Sequence, residues 1–261
     1  MLKILLVGAS GAMGHAVLEH VSELEDARVV AGFQEEKDGT ATYQTFTSFA
    51  EVSDALADGK IELNMIIDFS TPALTRDLTK FVQQHSMPVV LATTGHDKEQ
   101  QAMIAEASQH AAILDTHNTS IGVTVMSEAV KQLTKSLYPL GYDIEIIEKH
   151  HRYKVDSPSG TAIMLYDAAE SSIQETITPI YGRHGLEDER QHSDIGVHAV
   201  RGGNIVGEHT VIFANNEETI EITHRAGSKN LFATGALTGA RFLAQAQPGL
   251  YSMKDVIQAQ N

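Results

Sequence analysis

The sequence predicts an α/β protein with an N-terminal parallel sheet wound with helices on both faces, followed by an α+β domain whose open sheet is mainly antiparallel. Two observations carry this. Over the first 120 residues, short β-rich apolar runs alternate with stretches of helical period, the pattern of strands joined by crossover helices. After Leu140 the texture changes to closely spaced strands separated by turn formers.

The expected parallel strands are Leu2–Val7, Arg28–Phe33, Leu63–Asp68, Pro88–Ala92 and Ala111–Asp115, with helices over Met13–Leu24, Ala73–His85 and Lys98–His110 between them. Leu2–Val7 could pass for the core of a secretion signal. It lacks a charged leader and runs into a glycine turn, so it reads as a buried strand. Gly122–Tyr138 places Val123, Met126, Val130, Leu133 and Leu137 on one helical face, as a bridge out of the sheet. Strands then follow at Tyr142–Ile147, Ile195–Arg201, Ile205–Ala214 and Thr219–His224, with a helix over Ser159–Gln174. Gly202-Gly203 is expected to turn a hairpin between the second and third of these strands, and Asn215–Glu217 a second hairpin. The small-residue helix Leu231–Gln245 is expected to return to the first domain. The expected domains are therefore 1–121 with 232–261, and 122–231.

Composition narrows the function. The 261 residues are 42% hydrophobic, with 19 Lys+Arg against 34 Asp+Glu and a net charge of −15. Such a chain repels nucleic acid and anionic membrane surfaces. No Cys is present, which removes disulfides, thiolate metal sites and cysteine nucleophiles. No apolar run reaches the roughly 18 residues of a membrane span. A cytoplasmic protein acting on small molecules is expected.

Gly8-Ala9-Ser10-Gly11-Ala12-Met13-Gly14 follows the first strand and opens the first helix. Gly8 permits a tight turn, Gly11 lets a pyrophosphate reach helix N–H groups, and Gly14 allows close helix–strand packing. This spacing is looser than the strict dinucleotide fingerprint, but its position in a Rossmann-type βαβ unit points to a nicotinamide dinucleotide. Gln34 or Glu35, at the end of the second strand, would receive the ribose hydroxyls, and Glu35-Glu36 would disfavour a 2′-phosphate. Asp68-Phe69-Ser70-Thr71-Pro72, Ala92-Thr93-Thr94-Gly95 and Thr116-His117-Asn118-Thr119 end successive strands on the same rim. Ordinary helix capping explains any one of these hydroxyls; their repetition suggests a ligand edge.

The second informative segment is Glu148-Lys-His150-His151-Arg-Tyr-Lys154-Val-Asp-Ser-Pro-Ser159-Gly160-Thr161-Ala162. Three of the 19 basic residues fall within 149–154, beside two His. A positive knot in an acidic chain implies a small anionic substrate. Ser159-Gly160-Thr161 opens a helix with free N–H groups, a hydroxyl and close backbone access, which suits a carboxylate. His150 and Lys154 supply protons near neutral pH. Of the 13 His, the others in the second half (184, 192, 198, 209, 224) show no ligand spacing, so no metal is expected.

Glu148–Ala162 resembles the signature of the 4-hydroxy-tetrahydrodipicolinate (dihydrodipicolinate) reductase family of lysine and diaminopimelate biosynthesis. The similarity extends to the glycine turn, Asp68-Phe-Ser, Ala92-Thr-Thr-Gly95, Val206-Gly-Glu-His209 and Glu221-Ile-Thr-His224. The resemblance implies a homotetramer built through the second domain's sheet, and reduction of a cyclic dicarboxylate imine by NADH or NADPH. It implies His150 as acid/base, Lys154 as proton donor, and His151, Gly160 and Thr161 on the substrate carboxylates. It places the cofactor on Gly8–Met13, Ala92–Thr94 and Thr116–Thr119. Many members carry Arg where this chain has Ala12, and Glu-Arg where it has Gln34-Glu35. NADH is therefore expected to serve at least as well as NADPH. The rival readings are a reductase of another anionic imine or keto acid, and a non-catalytic NAD sensor, which would not need both His150 and Lys154.

Overall fold

A computed structural model describes residues 1–186 and 189–259. The chain opens with β1 (Leu2–Val7), α1 (Ala12–Ser22), β2 (Ala27–Phe33), β3 (Gln44–Phe46), α2 (Phe49–Ala57), β4 (Met65–Asp68), α3 (Thr75–His85), β5 (Val89–Leu91), α4 (Lys98–Ala107) and β6 (Ala112–Asp115). β3 and α2 were not expected from the apolar pattern. The local signal for α2 is Ser48-x-x-Glu51: Ser48 accepts from the Glu51 N–H and caps the helix.

A second unit spans Gly122–Ser228. Helix α5 (Ile121–Leu137) leads to β7 (Asp143–His150), α6 (Gly160–Glu170), β8 (Thr178–Ile180), β9 (Asp194–Arg201), β10 (Glu208–Ala214) and β11 (Thr219–Arg225). The sheet order is β11-β10-β7-β9-β8. β10 pairs antiparallel with β11 and β7, whereas β9 runs parallel to β7 and β8. The sheet is thus mixed, with the antiparallel ladders longer in total. The hairpin expected at Gly202-Gly203 does not form, because β7 lies between β9 and β10. Residues 202–207 instead cross the carboxyl end of β7, where the Gly202 N–H donates to the His150 carbonyl at 2.9 Å and the Arg152 N–H to the Gly203 carbonyl at 3.2 Å. The Asn215 turn does form, its side chain accepting from the Glu217 and Glu218 amides, each at 2.9 Å.

The chain then continues through α7 (Asn230–Leu243), β12 (Gly249–Tyr251) and α8 (Met253–Gln258), which share a unit with residues 1–121. The capping box of α8, Ser252 with Asp255, is another local signal that the periodicity reading passed over. The parallel sheet has the order β12-β6-β5-β4-β1-β2-β3. Successive β1 residues feed opposite cores. Ile4 and Leu6 pack with α1, α7 and α8, while Leu5 and Val7 pack with α2, α3 and α4. Burial on both faces accounts for a continuous apolar strand, each such side chain contributing about 1.5–3 kcal/mol. Chain order reverses between β1 and β4, and in open α/β sheets ligands bind outside the carboxyl ends at such a switch.

Candidate active site

The carboxyl edge of the parallel sheet is built from backbone. Gly8 has φ +81°, and a Cβ there would lie 2.6 Å from the Phe69 carbonyl oxygen. A Cβ on Gly14 would lie 2.4 Å from the Gly8 carbonyl oxygen. Both contacts forbid a side chain and draw turn, helix and sheet together. Ala9 is buried, Ser10, Gly11 and Ala12 are exposed, and Met13 is half-buried. Gly11 caps α1 without a side chain, and no acidic residue lies in the first turn. The helix therefore presents its positive end to an incoming anion.

At the end of β2, the buried Gln34 donates its amide to the Glu36 carbonyl at 2.8 Å, which shapes the loop and leaves Glu35 exposed. Lys37, the one cation in this loop, pairs with Glu51 at 2.9 Å. Thr93 donates to Asp68 at 2.7 Å and accepts from the Ser70 amide at 3.0 Å, joining the ends of β4 and β5. Burial pushes the Asp68 carboxyl up. Thr116 donates to the Asn118 carbonyl at 2.8 Å, and Thr119 to the Phe232 carbonyl at 2.8 Å. These three hydroxyls shape the rim, whereas Thr94 and His117 are exposed on it and Ala92 is half-buried. Ser70 Oγ, His96 Nε2 and Asp115 Oδ1 are buried without a partner. Each such group costs about 1–3 kcal/mol, and three at consecutive strand ends fit a polar ligand there. Together with the glycine cradle, these residues fit a dinucleotide.

The site on the second unit is built from charge. Along β7, Ile144, Ile146, Glu148 and His150 occupy the buried face in strict alternation, so two ionisable groups continue an apolar row. Glu148 is 0% exposed and accepts four hydrogen bonds. They come from His150 Nδ1 at 2.6 Å, the Ser159 N–H at 3.0 Å, and Arg201 Nη1 and Nη2 at 2.7 and 2.8 Å. Burial alone would push its carboxyl up, but Arg201, His150 and the Ser159 amide outweigh this and hold it below the usual range.

Around this carboxylate lie the predicted residues. The Lys154 amide donates to the His151 carbonyl at 3.1 Å, folding the loop, and its ammonium pairs with Asp156 at 2.8 Å. The His151 ring lies 6.3 Å from that of Tyr153, and its Nδ1 is buried without a partner. Gly160 and Thr161 form the first turn of α6, and the space a Gly160 Cβ would enter is open. Ser159 is buried; its hydroxyl accepts from the Ala162 amide at 3.2 Å, capping α6, and meets His209 Nε2 at 2.9 Å.

Comparison with known proteins settles the kinship. The family described as dihydrodipicolinate reductase, N-terminus, matches residues 2–119, and its C-terminal counterpart matches residues 122–257. The 4-hydroxy-tetrahydrodipicolinate reductase of Clostridium novyi (strain NT) is 40% identical over 261 residues, covering all of both chains. The chain belongs to the dihydrodipicolinate reductase family. The reductase of that name from Exiguobacterium sp. (strain ATCC BAA-1283 / AT1b) is 40% identical over 97% of this chain and 95% of its own. The fold matches that of the dipicolinate-bound dihydrodipicolinate reductase from Paenisporosarcina sp. TG-14, with a TM-score of 0.77, 20% identity and 97% of each chain covered.

Sequence reasoning did not single out Glu148, Arg201, Gly207 and His209, which the structure places around His150. Glu148 was detectable as a charge in register with buried isoleucines. Arg201 was not, since only the parallel pairing of β9 with β7 brings it beside His150. A Cβ on Gly207 would lie 3.1 Å from His150 Nε2, so that glycine leaves room beside the imidazole. Burial, followed by the neighbouring His150, pushes His209 down to about 4.

Proposed function

We propose that this chain reduces (2S,4S)-4-hydroxy-2,3,4,5-tetrahydrodipicolinate to 2,3,4,5-tetrahydrodipicolinate, using NADH or NADPH and releasing water. It is an NAD(P)H-dependent oxidoreductase of its family, and the single observation that carries the reaction is full-length 40% identity to reductases of that name. Loss of the 4-hydroxyl as water leaves a conjugated imine, and the cofactor, when bound, would supply a hydride for its ring C4. The glycine cradle and the positive end of α1 hold its pyrophosphate. Glu35, with Gln34 behind it, receives the adenosine ribose, and the strand ends at Ala92–Thr94 and Thr116–Thr119 line the nicotinamide.

On the second unit, the first-turn N–H groups of α6 at Gly160 and Thr161, with His151, hold the substrate carboxylates. The electron-rich enamine formed after hydride addition needs a proton and a stabilising positive field, and His150 and Lys154 supply both. Two carboxylates suit the separate α6 N–H groups and the His151 and Lys154 side chains better than one would. Retention of both His150 and Lys154 disfavours an NAD sensor.

NADH serves at least as well as NADPH, because the ribose edge presents Glu35 and its lysine is already paired with Glu51. The chain works as a homotetramer in the cytoplasm. Among the described residues, no helix is long and apolar enough to cross a membrane.

The test is oxidation of NADH and of NADPH, followed by cofactor absorbance, with substrate formed in situ from pyruvate and aspartate semialdehyde. Substrate-dependent oxidation is expected, with a Michaelis constant for NADH no higher than that for NADPH. Folded protein that binds NADH but oxidises neither cofactor would overturn the reading. Light scattering of the eluting protein checks the tetramer.

A further inference from the structure

We infer that Glu148 is the positioning residue of this site, gathering at one buried carboxylate the imidazole of His150, the cap of α6 and, through Arg201, the loop that carries Lys154. The inference rests on the roles proposed above for His150 and Lys154. Its geometry is independent of them.

Glu148 Oε2 receives His150 Nδ1, which fixes the ring's orientation and leaves Nε2 as its outward nitrogen, beside Gly207. A carboxylate on one imidazole nitrogen sets the tautomer and the ring's orientation. Glu148 Oε1 receives the Ser159 amide, so the first turn of α6 starts from the same anchor. A ring of contacts closes this side, with Ser159 Oγ on His209 Nε2 and the His209 ring edge-on to His150 at a centroid distance of 5.1 Å.

Arg201 makes the third connection. Its guanidinium is bidentate on Glu148, and Nη2 also donates to the Asp156 carbonyl at 2.7 Å, with Nε on the Lys154 carbonyl at 3.3 Å. The backbone of the lysine loop is thereby held to the carboxylate that holds the imidazole. A lone buried carboxylate would be strongly unfavourable. Here each oxygen accepts two hydrogen bonds, the four donors coming from three separate segments, and a carboxylate so matched holds one arrangement.

The experiment uses the full-length enzyme with both substrates and compares wild type, Glu148→Gln, His150→Asn and the double variant. In Glu148→Gln, kcat is expected to fall about 10²-fold, in the range of losses seen when an orienting partner is removed. The KM for the dicarboxylate should rise less than tenfold, and the Kd for NADH should stay within twofold. In the His150→Asn background the same change should cost less than tenfold, because its route through the imidazole is already gone and only those through Ser159 and Arg201 remain. An equal loss in both backgrounds, or a single-variant kcat within threefold of wild type, overturns the inference. If Glu148→Gln does not fold, Arg201→Met and Arg201→Lys decide: a kcat about tenfold down in the first and largely restored in the second supports it, and Arg201→Met within threefold of wild type refutes it. Absence of turnover in the wild type would instead mean that the proposed reaction is wrong.

Discussion

The two candidate ligand edges of this molecule are built by opposite means. At the carboxyl edge of the parallel sheet, the chain makes room by leaving side chains out: Gly8 and Gly14 sit where a Cβ would strike backbone. At the end of β7 the chain puts charge in, with Glu148, His150, Arg201 and Ser159 joined by direct hydrogen bonds and buried or half-buried. The first edge suits a cofactor that must be held in one pose whatever the substrate. The second suits chemistry, where protons move and charge develops. Added bulk should therefore damage the first, and lost charge the second.

The largest expected effect falls on the charged edge. Lys154→Ala should lower kcat by about 10³-fold, within the range of a lost proton donor, while the NADH affinity measured by calorimetry stays within twofold. Turnover within tenfold of wild type would remove Lys154 from the chemistry. Next is Gly8→Ala, which adds a methyl against the Phe69 carbonyl at a left-handed φ. It should destabilise the protein by about 1–3 kcal/mol and weaken NADH binding at least tenfold, with little change in kcat at saturating cofactor. Equal affinity in that variant would mean that the cradle is not the pyrophosphate site.

Glu35→Arg should move selectivity toward NADPH by about tenfold, the scale of one charged contact of about 1.4 kcal/mol at a phosphate. An unchanged ratio of kcat/KM for the two cofactors would place the ribose elsewhere.

The smallest effect is on stability against pH. His209 is pushed from its ordinary 6.5 down to about 4 by burial and by His150. The unfolded chain then binds more protons than the folded one between those values, so stability falls as pH drops from 6.5 toward 4. Tm should decline across that window, and His209→Gln should flatten the decline. A decline of equal slope in the variant would assign it to other groups.

Much of this was legible in the sequence. The βαβ alternation gave the parallel sheet because strands buried on both faces must be continuously apolar. The Gly8 turn was readable because only its position after β1, not its spacing, carries the signal. What escaped was non-local. β3 is three residues long and α2 is announced by its cap more than by its apolar face. Gly202-Gly203 looks like a hairpin because sequence cannot show that β7 separates β9 from β10. The same strand order sets β9 parallel beside β7 and so delivers Arg201 to Glu148; a misread turn and a missed site residue have one cause. The bond from Ser159 to His209 was equally hidden, because it joins residues 50 positions apart.

The division of labour itself is best tested by one paired measurement on a His150→Ala/Lys154→Ala double variant, combining calorimetric titration with NADH and substrate-dependent NADH oxidation. The account predicts an NADH Kd within twofold of wild type and no measurable turnover. Turnover within tenfold of wild type, or an NADH affinity that falls in parallel with turnover, would contradict it.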